Sequence, residues 1–306
     1  MGAAIESVIH GKPDAVRLIL TMLIAAGHVL IEDVPGVGKT MLAKALGRAI
    51  DCSVSRVQFT PDLLPSDITG VSAYVSQTGE FEFKPGPVFA SIVVGDEINR
   101  APAKTQSALL ECMEEQHVTV DGTTYQLESP FMVVATQNPV EMAGTYPLPE
   151  AQRDRFTARI SIGYPPLSAE LDMLDGHSAS SPLDSLAPVA DAADIRALIQ
   201  AARTVHLSVP LRRYVVNLVA ATRGHPELRL GASPRATLHL ARASRAYAAL
   251  DGRDYVIPDD VQALAVPVLA HRLLLAGTAP RLTPEDVVTD LVERLPVAMR
   301  RLGSQT

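Results

Sequence analysis

Cysteine is scarce: only Cys52 and Cys112 occur in 306 residues. Two are too few for a disulfide framework, and neither has the neighbouring Cys or His that zinc-ligand spacing requires, so both read as buried free thiols. Long apolar runs are also missing. The longest, residues 18–31, is broken by Thr21, Gly27 and His28 and runs into Glu32, which leaves it short of a membrane span. No basic segment precedes a cleavable apolar stretch near residue 1, so a cytoplasmic location without membrane insertion is expected. Positive charge is in deficit. With 27 Lys and Arg against 34 Asp and Glu the formal net charge is −7, which weighs against broad contact with nucleic acid.

What is present is length and apolar content. A hydrophobic share of 47% indicates a globular chain, and 306 residues suffice for two domains with their own cores. Residues 1–165 alternate apolar strands with helical spacing and read as an α/β domain. Residues 166–190 are rich in proline and small residues, as a linker region is. Residues 191–306 read as a compact helical bundle with no convincing strand and no fixed repeat. Its clearest helix starts are Ile257-Pro-Asp-Asp-Val261 and Thr283-Pro-Glu-Asp-Val287, with a first-turn proline and two acids each.

The segment that organises the first domain is His28-Val-Leu-Ile-Glu-Asp-Val-Pro-Gly-Val-Gly-Lys-Thr40. It reads as a strand, a tight glycine loop and a helix start. Glycines let successive backbone N–H groups face phosphate oxygens, and the helix dipole favours negative charge there. Lys39 is then placed to reach the β- and γ-phosphates and the Thr40 hydroxyl to take Mg²⁺, the Walker A arrangement. Pro35, Gly36, Val37, Gly38, Lys39, Thr40 and Met41 are the candidate nucleotide-binding residues, with ATP and Mg²⁺ as the implied ligands. Asp33 stands where the pattern has its first glycine, so the loop entry needs a conformation that tolerates a Cβ. Helical spacing over residues 3–26 is preceded by a turn-like piece at 8–12, where Ile9 and His10 are candidates to lie against the base or simply lead into the helix.

Further along, Ser91-Ile-Val-Val-Gly-Asp-Glu97 is an apolar strand ending in two carboxylates. Asp96 can hold Mg²⁺ through water, while Glu97 faces the other way and can orient an attacking water. Residues 131–138 form another buried strand whose polar end, Asn138, can bond the γ-phosphate or that water. Two hairpins interrupt this series, at 73–83 and 118–125, the second around the favoured Asp121-Gly122 turn. Such insertions are candidate working surfaces. A final strand spans 158–162. In the bundle, Ser233 can cap a helix whose first turn carries Pro234 and Arg235, and a cation at that dipole end calls for an anionic partner.

Taken together, Glu32-Asp-Val-Pro-Gly-Val-Gly-Lys-Thr40, Asp96-Glu-Ile-Asn-Arg-Ala-Pro102, Ala135-Thr-Gln-Asn-Pro139 and Gly144-Thr-Tyr-Pro-Leu-Pro-Glu-Ala-Gln152 resemble the MoxR family of AAA+ ATPases. The resemblance implies an α/β P-loop NTPase core with a parallel five-stranded sheet of order 5-1-4-3-2 and a C-terminal all-helical lid domain. It implies Asn138 as first sensor, Arg235 as second sensor contacting the nucleotide, and Arg155 as the finger donated to a neighbouring subunit, with Arg153 the competing candidate. Implied too are ATP hydrolysis, a homo-oligomeric ring with hexamer the expected size, and chaperone-like maturation of client protein complexes with a von Willebrand factor A domain partner. The alternative class is a nucleic-acid motor, but neither hairpin stretch, 74–83 or 118–127, carries Lys or Arg. A small-molecule kinase or GTPase fits less well, since two adjacent acids suit water attack and no Asn-Lys-x-Asp element occurs.

Overall fold

The buried runs dictate the centre of the molecule. A strand such as Ile92–Asp96, buried along its whole length, has no polar face and must be covered on both sides. That is the condition of a parallel sheet between helical layers. The computed structural model describes residues 1–34, 36–138, 146–167, 182–277 and 281–297, and it contains such a sheet.

In chain order the first part comprises α1 (Gly2–Glu6), α2 (Pro13–Ile24), β1 (Val29–Glu32), α3 (Lys39–Ala49), β2 (Val54–Gln58), α4 (Pro65–Thr69), the hairpin β3 (Gly70–Val75) and β4 (Glu80–Pro85), and β5 (Ile92–Asp96). There follow α5 (Ala103–Glu115), the hairpin β6 (His117–Val120) and β7 (Thr123–Gln126), β8 (Met132–Gln137), α6 (Glu150–Arg153) and β9 (Ala158–Ile160). The large sheet runs β2-β5-β8-β1-β9 with every neighbour parallel. Counting only those five strands from the β9 edge gives the expected order 5-1-4-3-2. Successive residues of β5 serve opposite layers: Ile92 and Val94 join the apolar cluster containing Leu42 and Leu46 of α3, and Val93 joins Phe59, Leu109 and Phe156 on the other face. Helix α3 lies so close to β2 that a Cβ on Gly47 would stand 2.0 Å from a Val54 methyl.

The opening helical stretch is two helices rather than one, because Gly11 takes a left-handed φ of 72° and Pro13 restarts the helix at its first turn. The first hairpin begins at Gly70, three residues before the sequence pattern suggests. There φ is 98° and a Cβ would meet the Lys84 carbonyl oxygen at 2.4 Å, so only glycine fits. The second hairpin turns on Asp121 and Gly122, both at positive φ, as a two-residue primed turn requires. Phe83 and Tyr125 stack with ring centroids 4.0 Å apart and tie the two hairpins together. Beyond that stack, Tyr74 and Phe81 pair edge-on, with Phe81 73% exposed.

The C-terminal part holds α7 (Ala192–Thr204), α8 (Val209–Arg223), β10 (Leu228–Leu230), α9 (Pro234–Leu250), α10 (Pro258–Leu269), β11 (Leu274–Leu275) and α11 (Pro284–Arg294). The helices are as expected. The antiparallel ribbon of β10 and β11 corrects the reading of this region as free of strands; segments of three and two residues are too short for an alternating pattern to register. Asp191, Ser208, Ser233 and Thr283 each accept a first-turn backbone N–H, a cap worth about 1 kcal/mol apiece. One apolar cluster runs from Ile19 and Leu23 of α2 to Leu218 and Leu240 of the bundle, so the two parts share a core. Residues 168–181 of the linker region, the start of the Gly144 motif and Pro35 lie outside the described residues. Both cysteines are free, Cys112 buried and its thiol pushed up to about 12 by desolvation, Cys52 half-buried. Among the described residues no helix is long and apolar enough to cross a membrane.

Candidate active site

The loop between β1 and α3 is open where a phosphate chain would have to enter. Gly36 and Gly38 sit at φ 84° and 90°, and a Cβ on either would meet nothing within 4 Å. Glycine is required there by backbone conformation, and the space beside it is free for a ligand. Lys39, the first residue of α3, donates to the carbonyls of Asp33 at 2.6 Å and Gln137 at 3.4 Å. Burial lowers its pKa, and the carboxylates of Asp33, Asp96, Glu97 and Glu32 act in the opposite sense. An ammonium whose hydrogen-bond partners among the described residues are two neutral carbonyls suits an anionic ligand.

Asp33, the departure from the glycine pattern, has a defined task. Its Oδ2 accepts the backbone N–H groups of Ile162 and, at 2.8 Å, Gly163, and the Ser161 hydroxyl at 3.2 Å. The loop entry is thereby pinned to the chain leaving β9. Replacing Asp33 by Ala is expected to lower the melting temperature and raise KM for ATP about tenfold, the equivalent of one charge-assisted hydrogen bond. Asp33→Gly should behave alike despite restoring the motif glycine. An ATPase titration of Asp33→Ala giving the unaltered KM would refute this.

The two acids have different direct partners, linked through Thr136 and through the Arg56 Nη2 bond to Gln58 Oε1 at 3.2 Å. Asp96, at the buried tip of β5, accepts the Thr40 hydroxyl at 3.2 Å, Arg56 Nε at 2.6 Å and the Thr136 hydroxyl at 3.4 Å. Glu97 follows at φ 58° and ψ 50°, a left-handed conformation costing a non-glycine residue on the order of 1 kcal/mol or more. Its N–H donates to Thr136 Oγ1 at 2.9 Å, and its carboxylate accepts Gln58 Nε2 at 2.9 Å and Arg100 at 3.1 Å. Asp96, Glu97, Arg56, Gln58 and Thr136 border a cleft of about 380 Å³ together with Gly36, Gly38, Lys39, Thr40, Met41 and Asn138. Thr40 and Asp96 offer a hydroxyl and a carboxylate side by side. Mg²⁺ is usually held by one or two carboxylates plus substrate phosphates, so the donor set fits it. Among the described residues no group of three His, Cys, Asp or Glu side chains forms an all-protein metal cage.

Ile9 and His10 do not line this cleft. The turn after α1 directs Ile9 into the apolar core and leaves His10 exposed.

Arg155 and Arg235 stand elsewhere. Arg155 Nε bonds Glu114 Oε2 at 3.0 Å, and Arg235 bonds the other oxygen of the same carboxylate. With His28, His239 and Arg242 they line a second cleft of about 250 Å³ that contains no residue of the glycine loop. Arg235 thus lies outside the cleft that the glycine loop borders. Its helix start is drawn away: the Ser233 hydroxyl that caps α9 also donates to Asp154 at 2.8 Å, which sets Arg235 beside Arg155. Arg153 is half-buried, its Nε without a hydrogen-bond partner among the described residues. His28 is a satisfied core histidine. Its Nδ1 accepts the Val133 N–H at 3.0 Å, its Nε2 donates to the Met113 carbonyl at 3.1 Å, and burial pulls its pKa to about 4. His239 is lowered to about 3, by burial first and then by Arg272, Arg242 and Arg235.

Sequence reading missed Arg56, Gln58, Thr136, Glu114, Asp154 and Arg272. Gln58 and Arg56 alternate along β2 just before its tip, a placement that could have been noticed once β2 was known to border β5. The others depend on packing alone.

Comparison with known proteins places this geometry. Residues 28–158 match the family described as ATPase family associated with various cellular activities, AAA, and residues 220–291 match the AAA lid domain. The chain is 50% identical to the uncharacterized protein YeaC of Bacillus subtilis, covering 98% of this chain and 96% of that one. It is 42% identical to chaperone MoxR1 of Mycobacterium tuberculosis, over 94% of this chain and 79% of that one. Protein MoxR of Paracoccus denitrificans is 34% identical, over 90% and 87%. A solved structure from Cytophaga hutchinsonii, described as a candidate ATPase, superposes with a TM-score of 0.89 at 37% identity, over 97% of this chain and 93% of that one.

Proposed function

The chain belongs to the MoxR family of AAA+ ATPases, and from that premise we propose that it hydrolyses ATP as a ring of identical subunits whose active sites are completed between neighbours. The observation that carries this reading is the location of Arg155 and Arg235. Both share Glu114 in a cleft apart from the glycine loop, which supports a role for them at a neighbour's loop. A guanidinium stabilises the charge that develops during phosphoryl transfer, and one supplied by the next subunit makes hydrolysis depend on assembly.

Within one subunit the roles divide as follows. The loop N–H groups and Lys39 bind the phosphates of ATP. Thr40 and Asp96 would hold Mg²⁺, which would supply charge neutralisation at the phosphoryl oxygens. Glu97 orients the attacking water and accepts its proton, with Asn138 beside it at the end of β8. The neighbour's Arg155 and Arg235 replace Glu114 with the γ-phosphate as their anionic partner. A hexamer is the ring size proposed, by family resemblance.

The work done with this energy is chaperone-like remodelling of client protein complexes in the cytoplasm, with a von Willebrand factor A domain protein as partner. Two features support a protein client over nucleic acid. A relative at 42% identity is named a chaperone, and the exposed hairpin presents Tyr74 and Phe81 flanked by Glu80 and Glu82 instead of lysines or arginines. Size analysis with and without nucleotide, run alongside the ATPase rate, tests the assembly. The rate per subunit is expected to rise with protein concentration in step with formation of the larger species. A monomer turning over ATP at a rate independent of concentration would overturn the proposal.

A further inference from the structure

Arg272 lies just after α10, is 5% exposed and enters neither cleft. Burying a guanidinium is expensive, and a buried ion pair returns little net stability over an apolar replacement. What this one does is grip the tripeptide that carries Arg155. Its Nε donates to Asp154 Oδ1 at 2.8 Å, and its Nη2 donates to the carbonyls of Phe156 at 2.6 Å and Asp154 at 3.3 Å. Nη1 reaches the Thr157 carbonyl at 3.3 Å and that of Val268. The carbonyls on both sides of Arg155 are thus held by one side chain from the C-terminal part. Asp154 completes the arrangement, since its second oxygen accepts the Ser233 hydroxyl that caps the helix bearing Arg235.

We propose that Arg272, Asp154 and Ser233 form a latch that locks Arg155 and Arg235 into one rigid pair, delivered together to the neighbouring subunit, with Arg272 and Asp154 as positioning residues for the reaction. Asp154 is the hinge pin of this device: Oδ1 engages the arginine behind Arg155 and Oδ2 the cap behind Arg235. His239, on the same helix as Arg235, accepts Arg272 Nη2 at 2.6 Å on Nδ1 and adds a third tie between them. Any tilt of the C-terminal helices moves Arg272 and Ser233 together and carries both arginines with it.

The inference rests on the reading that Arg155 acts on a neighbour's site, and the test separates the two. Arg272→Lys keeps the charge and loses the fork; Asp154→Asn keeps the shape and loses the charge, and serves if the first fails to fold by its melting curve. Each is expected to cost roughly a hundredfold in kcat, as a misplaced catalytic group does. The discriminating readout is subunit mixing with Glu97→Gln, which has an inactive site of its own but an intact latch. Full-length Arg272→Lys or Asp154→Asn mixed with Glu97→Gln should recover activity, because the loop site of the latch variant receives properly set arginines from its neighbour. If these mixtures stay inactive while Arg155→Ala mixed with Glu97→Gln recovers, the latch proposal is overturned and the site reading stands. If neither recovers, the reading of arginines donated between subunits falls, and the latch with it.

Discussion

Glu97→Gln is expected to lower kcat by about a hundredfold or more while leaving ATP tightly bound. A positioned general base contributes on the order of 10² to 10⁴ in rate, and the amide cannot accept the proton of the attacking water. Binding is spared because the groups assigned to the phosphates and metal are Lys39, Thr40 and Asp96, and among the described residues none of them bonds the Glu97 carboxylate directly. The Asp96 carboxylate is held by Thr40, Arg56 and Thr136, whereas that of Glu97 is held by Gln58 and Arg100. A glutamine side chain fills the same volume at the same backbone angle, so the φ of 58° is no more strained than before. The measurement is a pair: steady-state turnover, and retention of labelled ATP through gel filtration. Turnover within a factor of about ten of the parent would remove Glu97 from its role. Loss of retention would show instead that the change at Glu97 is passed to Asp96 through the Gln58–Arg56 bond.

The glycine loop, the acid pair and the end of β8 were legible because each is a local pattern. A strand tip, a turn and a helix start sit within a few residues of each other, and the parallel sheet brings β1, β5 and β8 side by side so that Lys39, Asp96, Glu97 and Asn138 meet. The work of Asp33 was not legible, since the backbone that it binds lies 129 residues further on, at Ile162. Arg235 shows the same limit from the other direction. Its helix start, its cap and its need for an anion could be read locally, but which anion depends on where the bundle docks on α2 and on the Asp154 that captures Ser233. Glu114, the anion that the structure supplies, sits at the end of α5 with nothing in its neighbourhood of the sequence to mark it. Long-range partners of charged groups are what a single sequence conceals, because like residues occur on any solvated face.

Arg155→Ala is expected to abolish hydrolysis by the pure variant and to be rescued by a variant that is itself inactive. Donated arginines in related phosphoryl-transfer enzymes are worth about 10³ to 10⁵ in rate, so the loss should be at least about a thousandfold. The binding cleft lacks Arg155 altogether, so KM for ATP should stay near the parent value. Rescue follows from the geometry of a head-to-tail interface, in which each site takes its loop from one subunit and its arginines from the next. In an equal mixture with Glu97→Gln, about a quarter of random interfaces pair an intact Glu97 with an intact Arg155, so about a quarter of the parent rate should return. A cis role for Arg155 would leave every subunit in the mixture with one defect, and no activity would return. Glu114 supplies an internal check on the same assignment. It pairs with both arginines in the isolated subunit and offsets one of their two positive charges, so the γ-phosphate must compete with a carboxylate already in place. That competition is tolerable only if the incoming anion carries more charge than Glu114 and arrives with Mg²⁺, which is why the variant should be silent in nucleotide binding and severe in turnover.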